Sequence, residues 1–185
     1  MKKNLGVVQA VYPMPVLIVA AYDENGKVNA MNAAWGMICN ADRIALFIDE
    51  DHKTTQNILK SRAFTVSLAD RAHMDVADFF GIATGNKMED KFERTGYHAV
   101  KSAFVNAPII NELPLTLECE LLDVIEGSLY LGEIKNVSMD ENILGEDGEL
   151  DLTKFVPITY DPIHHGYYPL GQRVGNAFAD GAKLK

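Results

Sequence analysis

The sequence predicts a mainly β protein with peripheral helices, an antiparallel barrel rather than a doubly wound sheet. Three observations carry this. Short apolar or β-branched runs recur along the chain; turn pairs such as Asn25-Gly26 and Gly127-Ser128 join several of them as hairpins. The helical patterns form a block between the fourth and fifth strands, without regular strand–helix alternation. With 185 residues the chain is long enough for one self-supporting core, and a single domain over 1–185 is expected.

Each element has its own reason. Tyr12-Pro13-Met14-Pro15 is a stiff, extended lead-in, because each proline disfavours helix in the residue before it. Val16 to Tyr22 is β-branched and too short for a typical helix, so it reads as a buried strand. After the Asp23–Gly26 turn, Lys27 to about Trp35 is a strand unusually rich in Ala and Asn. Such small residues fit either close approach of a ligand or a tightly packed barrel wall. Ile44 to Asp49 is a further strand. Thr54 or Thr55 is expected to cap a helix running through Leu59, with Lys60 and Arg62 complementing its dipole.

Phe64 to Leu68 alternates as a strand. Ala72 to Phe80 has a helical apolar stripe ending at Gly81, and Asn86 is expected to cap a helix over Lys87–Thr95 that stops at Gly96. Pro108 and Pro114 bracket a loop. Leu115 to Glu126 and Leu129 to Met139 form the longest hairpin, with Leu115, Leu117, Cys119 and Leu121 on one face. Phe155 to Tyr160 is a last strand, and the Gly- and Tyr-rich stretch that follows is expected to dock on the body.

Charge and motifs narrow the function. A net charge of −9 disfavours nucleic-acid binding, which needs a basic face. No apolar run is long enough to span a bilayer, no secretory signal opens the chain, and two cysteines form no disulfide framework; a cytoplasmic protein is expected. Asp140 to Asp151 starts like a calcium loop but lacks the ligand at its fifth position and the terminal Glu, so it reads as an exposed acidic loop. His164 and His165 are adjacent and point to opposite faces of a strand, so no metal site is expected. Dinucleotide-fold, P-loop, zincin and nucleophile-elbow motifs are all absent. What remains is Asn29 to Ile58: small residues at Ala30, Ala33, Ala34 and Gly36, then His52, Lys53, Thr54 and Thr55 at a helix start. That pairing suits a planar ligand with an anionic tail, because unpaired amides and the dipole at a helix start attract phosphate.

The pieces also fall in a familiar order. Pro13-Met14-Pro15-Val16, Asn29 to Gly36, Lys53-Thr54-Thr55 with Asn57-Ile58, Gly85-Asn86-Lys87, Asp90-Lys91-Phe92, Pro108, Glu118-Cys119 and Gly166 to Gly171 together cover nearly the whole chain. With these residues the chain resembles the flavin reductase-like, FMN-binding split-barrel family, particularly its flavoredoxin-like branch. The resemblance implies an antiparallel split β-barrel that forms a homodimer with one FMN per subunit near the interface. It places Met31, Asn32, Ala33, Ala34 and Trp35 along the isoalloxazine ring and Asn40 near the ribityl–phosphate region. Lys53, Thr54 and Thr55 would hold the phosphate; Thr84, Lys87 and Lys91 would complete the surroundings, and Tyr167 and Tyr168 would cover the ring or the dimer seam. The chain departs from the family at Cys39-Asn40, where Ser or Thr is common, and at Thr84-Gly85-Asn86-Lys87, where Ser-Gly-Arg is common.

The implied activity is oxidoreduction from NADH or NADPH through FMN to free flavin or another acceptor. The alternative is a flavoredoxin-like shuttle between redox partner proteins. No catalytic side chain is implied, since a flavin ring carries the hydride itself. Bland readings stand beside these: Trp35 as a core anchor, Lys53 as a solvated lysine, Lys91 on an exposed helix face and the tyrosines as packing.

Overall fold

The structure, a computed structural model, describes residues 1–184. Its centre is a seven-stranded antiparallel sheet built from β2 (Leu17–Tyr22), β3 (Val28–Ala33), β4 (Gly36–Asn40), β5 (Arg43–Phe47), β6 (Ala63–Leu68), β9 (Leu115–Ile125) and β10 (Leu129–Met139). The spatial order is β3-β2-β6-β9-β10-β5-β4. β3 and β4 follow each other in sequence, joined by Ala34 and Trp35, yet they are the two outer strands. The sheet therefore curls back on itself into a split barrel, open along the β3/β4 seam. A three-stranded sheet of β1 (Met14–Pro15), β11 (Ile158–Asp161) and β12 (Gly166–Pro169) and a small pair, β7 (Ala99–Lys101) with β8 (Pro108–Ile110), complete the strands. Two helices, α1 (Lys53–Ser61) and α2 (Met74–Ile82), lie outside the curl.

Burial explains why β2 reads as a continuous apolar run. Leu17, Val19 and Ala21 point into the barrel with Leu46, Phe64 and Tyr130, while Ile18 and Ala20 pack outward with Phe80, Phe92 and Ile110. A strand buried on both faces loses the usual apolar–polar alternation. β9 does the same: Thr116 and Glu118, expected to face solvent, are each 1% exposed. Ser102 Oγ, Asn136 Nδ2 and Ser138 Oγ all donate to the Glu118 carboxylate, the last two at 2.7 and 3.0 Å.

Several expectations are corrected. The strand expected to reach Trp35 ends at Ala33, and the following Gly36–Asn40 is a separate strand that pairs with β5. The long hairpin turns through three residues, since Ile125 pairs with Leu129, and both Glu126 and Gly127 have positive φ. α2 continues past Gly81 to Ile82. Residues 87–95 form turns and one 3-10 turn, Glu93–Thr95, instead of a helix. The segment after Pro108 is strand β8 rather than loop. The docked tail is β12, which pairs along the whole of β11.

Candidate functional site

α1 opens the site. His52, in extended conformation, precedes it without a side-chain cap, and the first helical bond runs from Gln56 N–H to His52 O. The amides of Lys53, Thr54 and Thr55 thus have no partner within the helix, as at any helix start. Neither threonine is the cap expected from sequence. Thr54 Oγ1 accepts from Asn29 Nδ2 at 2.5 Å; Thr55 lies beneath the surface, and its Oγ1 has no hydrogen-bond partner.

Beside this start lies a small cavity of about 130 Å³, lined by Lys53, Thr54, Thr84 and Lys91 among others. Lys91 is 3% exposed; its Nζ donates to Phe80 O at 2.9 Å and sits 5.7 Å from the centre of the Phe80 ring. Burial pulls its pKa down to about 8. Among the described residues no carboxylate pairs with it. Gly85 closes the floor. A Cβ there would lie 2.2 Å from Asn29 Oδ1, so only glycine lets the loop pass this close.

A second cavity, of about 670 Å³, adjoins the first, and Met31, Asn32, His52, Gly81 and Ile82 line both. Met31 to Trp35, at the barrel seam, form one wall of the large cavity. Trp35 is 45% exposed, which rules out the core-anchor reading. Its ring lies 6.4 Å from that of Tyr160, which in turn lies 5.9 Å from Tyr167. Asn32 Nδ2 donates to Ala77 O at 2.9 Å, and Tyr167 OH donates to Asp78 Oδ1 at 3.0 Å. Burial, reinforced by that carboxylate, pushes the Tyr167 phenol up to about 12. His52 lines both cavities, and its Nδ1 is buried without a hydrogen-bond partner.

Met31, Asn32, Ala33, Ala34, Trp35, Lys53, Thr54, Thr84, Lys91 and Tyr167 therefore converge on the joined cavities. Four sequence candidates do not. Asn40 lies on β4, exposed, where its side chain bonds to the next backbone amide. Thr55 is sealed in the core, and Lys87 lines neither cavity. Tyr168 is 53% exposed and away from the cavity lining. His52, read from sequence beside Lys53 at the helix start, lines both cavities; Asn29, Asp78, Gly81, Gly85, Tyr160 and His165 were missed as lining residues. Asn29 opens the stretch singled out from sequence, so only its side-chain direction was hidden. His164 and His165 take separate partners, Asp161 Oδ2 and Tyr160 OH, each at 2.8 Å. No helix among the described residues is long and apolar enough to cross a membrane.

Comparison with known proteins gives this geometry a class. The family profile described as "Flavin reductase like domain" matches residues 9–166, and the chain belongs to the flavin reductase-like family. Within it, likeness is strong to the flavoredoxins. The structure of the flavoredoxin of Desulfovibrio vulgaris (Miyazaki F) is 37% identical with a TM-score of 0.94, over 98% of this chain and 100% of that one. Flavoredoxin from Methanosarcina acetivorans shares the fold, at 24% identity and a TM-score of 0.89 over 100% of both chains. An uncharacterized protein of Aeropyrum pernix is 29% identical over 157 residues; the match covers 82% of this chain but only 59% of that relative.

Proposed function

We propose that this protein is an FMN-binding oxidoreductase of the flavin reductase type, accepting electrons from NADH or NADPH and passing them to free flavin or another acceptor. The observation that carries the proposal is the pair of joined cavities. A wide one beside Met31–Trp35 suits a flat ring, and a narrow one beside the α1 start suits a phosphate. The fit is chemical as well as steric. The free amides of Lys53 and Thr54 and the buried ammonium of Lys91, which meets only the Phe80 carbonyl and ring, lack the anion that a ribityl phosphate would supply. When bound, the flavin would supply the electron and hydride chemistry, while Met31–Trp35 and Asn32 orient it and the phosphate end anchors it.

The test is FMN titration of the purified protein, followed by anaerobic mixing with NADH or NADPH. Absence of affinity better than about millimolar (about 4 kcal/mol) would remove the proposal. Lys53→Ala combined with Thr54→Ala should weaken FMN more than riboflavin, and equal losses would count against the phosphate assignment. A second reading is favoured by the likeness to flavoredoxin and by the net charge of −9: bound FMN shuttles electrons to a basic partner protein. Slow bleaching by both nicotinamides together with fast reduction by a partner would select it. We further infer a homodimer working in the cytoplasm, with the exposed β4 strand (Met37 and Ile38) at the seam. Sedimentation of the FMN-loaded protein tests that assembly.

A further inference from the structure

The chain beyond β12 is held differently from the rest of the molecule. Leu170 N–H donates to Pro157 O at 3.2 Å, and among the described residues after it every hydrogen bond stays within the tail. Asn176 N–H donates to Asp180 Oδ2 at 2.8 Å and Asp180 N–H to Asn176 O at 3.2 Å, which closes a compact turn. Phe178 stands in that turn with φ of 62° and a fully exposed ring; Val174, four residues earlier, is fully exposed as well. Positive φ at a phenylalanine is held only where neighbouring bonds impose it. The turn therefore presents an aromatic ring, and nothing on its own subunit covers it. The tail is also basic in an acidic molecule: Arg173, Lys183 and Lys185 stand against Asp180, in a chain of net charge −9. Among the described residues, neither Arg173 nor Lys183 pairs with a carboxylate.

A complement lies on the outside of the large sheet. Phe47, Leu129 and Ile125 are register partners across β5, β10 and β9, on the face turned away from Leu46 and Tyr130 in the core. Met37 and Ala45 pair two residues further along β5, on the same face. Met37, Phe47 and Ile125 are 70%, 55% and 44% exposed, so this is an open apolar strip. At its end, two residues beyond Phe47 and one beyond Ile125, lies a cleft of about 500 Å³ lined by Asp49, Glu50, Asp51 and Glu126. Among the described residues, Asp49, Glu50 and Glu126 have no cationic partner. The strip and cleft set apolar surface beside negative charge; the tail sets apolar side chains beside positive charge.

We infer that the tail of one subunit docks on this strip in a second copy of the chain, with Val174 and Phe178 against Met37, Phe47 and Ile125 and with Arg173 in the acidic cleft, an inference that rests on the homodimer reading above. The occupant is a second copy for two reasons. On its own subunit the tail meets neither surface, since Val174 and Phe178 are bare and Arg173 bonds only within the tail. The strip also continues from β4, the strand proposed for the seam. Asp49 and Ser128 line both the cleft and the large cavity, and the large cavity has no lysine or arginine in its own lining. Docking would bring the partner's Arg173 to that rim, so each site would be completed by a charge from the other subunit.

Hydrogen exchange on the whole chain, read with sedimentation across the concentrations where monomer passes into dimer, tests the docking. Amides in 174–180 should exchange freely in the monomer and be slowed at least roughly tenfold in the dimer. Charge reversal tests the pairing. Arg173→Glu, and separately Glu50→Arg combined with Glu126→Arg, should each weaken dimerisation roughly tenfold, because like charges then face each other. Mixing these two proteins sets every tail against an opposite charge in the other copy and should restore the wild-type affinity, a rescue that docking within one chain does not give. Phe178→Asp should weaken dimerisation roughly 30-fold, the scale of a central aromatic contact. A dimer whose tail exchanges as fast as free chain, protection already present in the monomer, or no gain on mixing would each overturn the inference. A chain that stays monomeric at every concentration would instead overturn the homodimer reading, and this inference with it.

Discussion

Glu118 and Lys91 are both almost fully enclosed, at 1% and 3% exposure, but their surroundings differ in kind. Behind the sheet, Glu118 has three side-chain donors from Ser102, Asn136 and Ser138 and needs nothing more. Beside α1, Lys91 has one backbone carbonyl and an aromatic ring, and burial lowers its pKa to about 8. A charge without a counter-charge is costly in the interior unless something pairs with it. The first group ties β9 to β10 and to the segment after β7. The second faces a cavity and lacks a partner, which is how a ligand-binding charge differs from a structural one.

The contrast can be broken at either end. The largest effect is expected from Glu118→Ala, which orphans buried donors and should cost about 3–5 kcal/mol, read from the denaturation midpoint; FMN affinity in the remaining folded protein should hold. Next comes Gly85→Ala. Its Cβ would push into Asn29 and disturb the Asn29–Thr54 bond, costing roughly 2 kcal/mol of stability by overpacking and weakening FMN as well. Lys91→Met should weaken FMN about tenfold, spare riboflavin, and leave the cofactor-free protein as stable as before or more so. A loss of stability there like that at Glu118 would erase the distinction.

The smallest effect concerns pH. The pKa of Lys91 falls from 10.5 to about 8 on folding, so between those values the unfolded chain holds more protons. Stability of the cofactor-free protein should therefore rise with pH across that window, by at most about 1.4 kcal/mol per pH unit, and the rise should be missing in Lys91→Met. Guanidinium titrations at three pH values measure it.

Much of the barrel could be read in advance because turns and strands are local. Asn25-Gly26 and Gly127 fix hairpins whatever the rest of the chain does. β4 escaped because Gly36–Asn40 has no alternation of its own and owes its place to pairing with β5. Lys87–Thr95 looked helical through Met88 and Phe92, but Phe92 is held by stacking on Phe80 at 6.3 Å, a tertiary contact that overrides a weak helical pattern. For the site, the small-residue strand and the helix start were legible as residue types. Which threonine faces the cavity was not, because the direction of Thr54 depends on Asn29, 25 residues away. Glu118 was misread for the same reason. Alternation shows two faces, but not whether the outer one is covered by a distant loop.

The seam at Ala34–Trp35 has a further consequence. Because β3 pairs only with β2 and β4 only with β5, no ladder hydrogen bond crosses the seam that lines the large cavity. The link itself is fastened: Ala34 is buried, and Trp35 O accepts from Phe47 N–H at 2.8 Å. Where the barrel is split, the wall of the large cavity is held by one buried alanine and one backbone bond in place of a ladder.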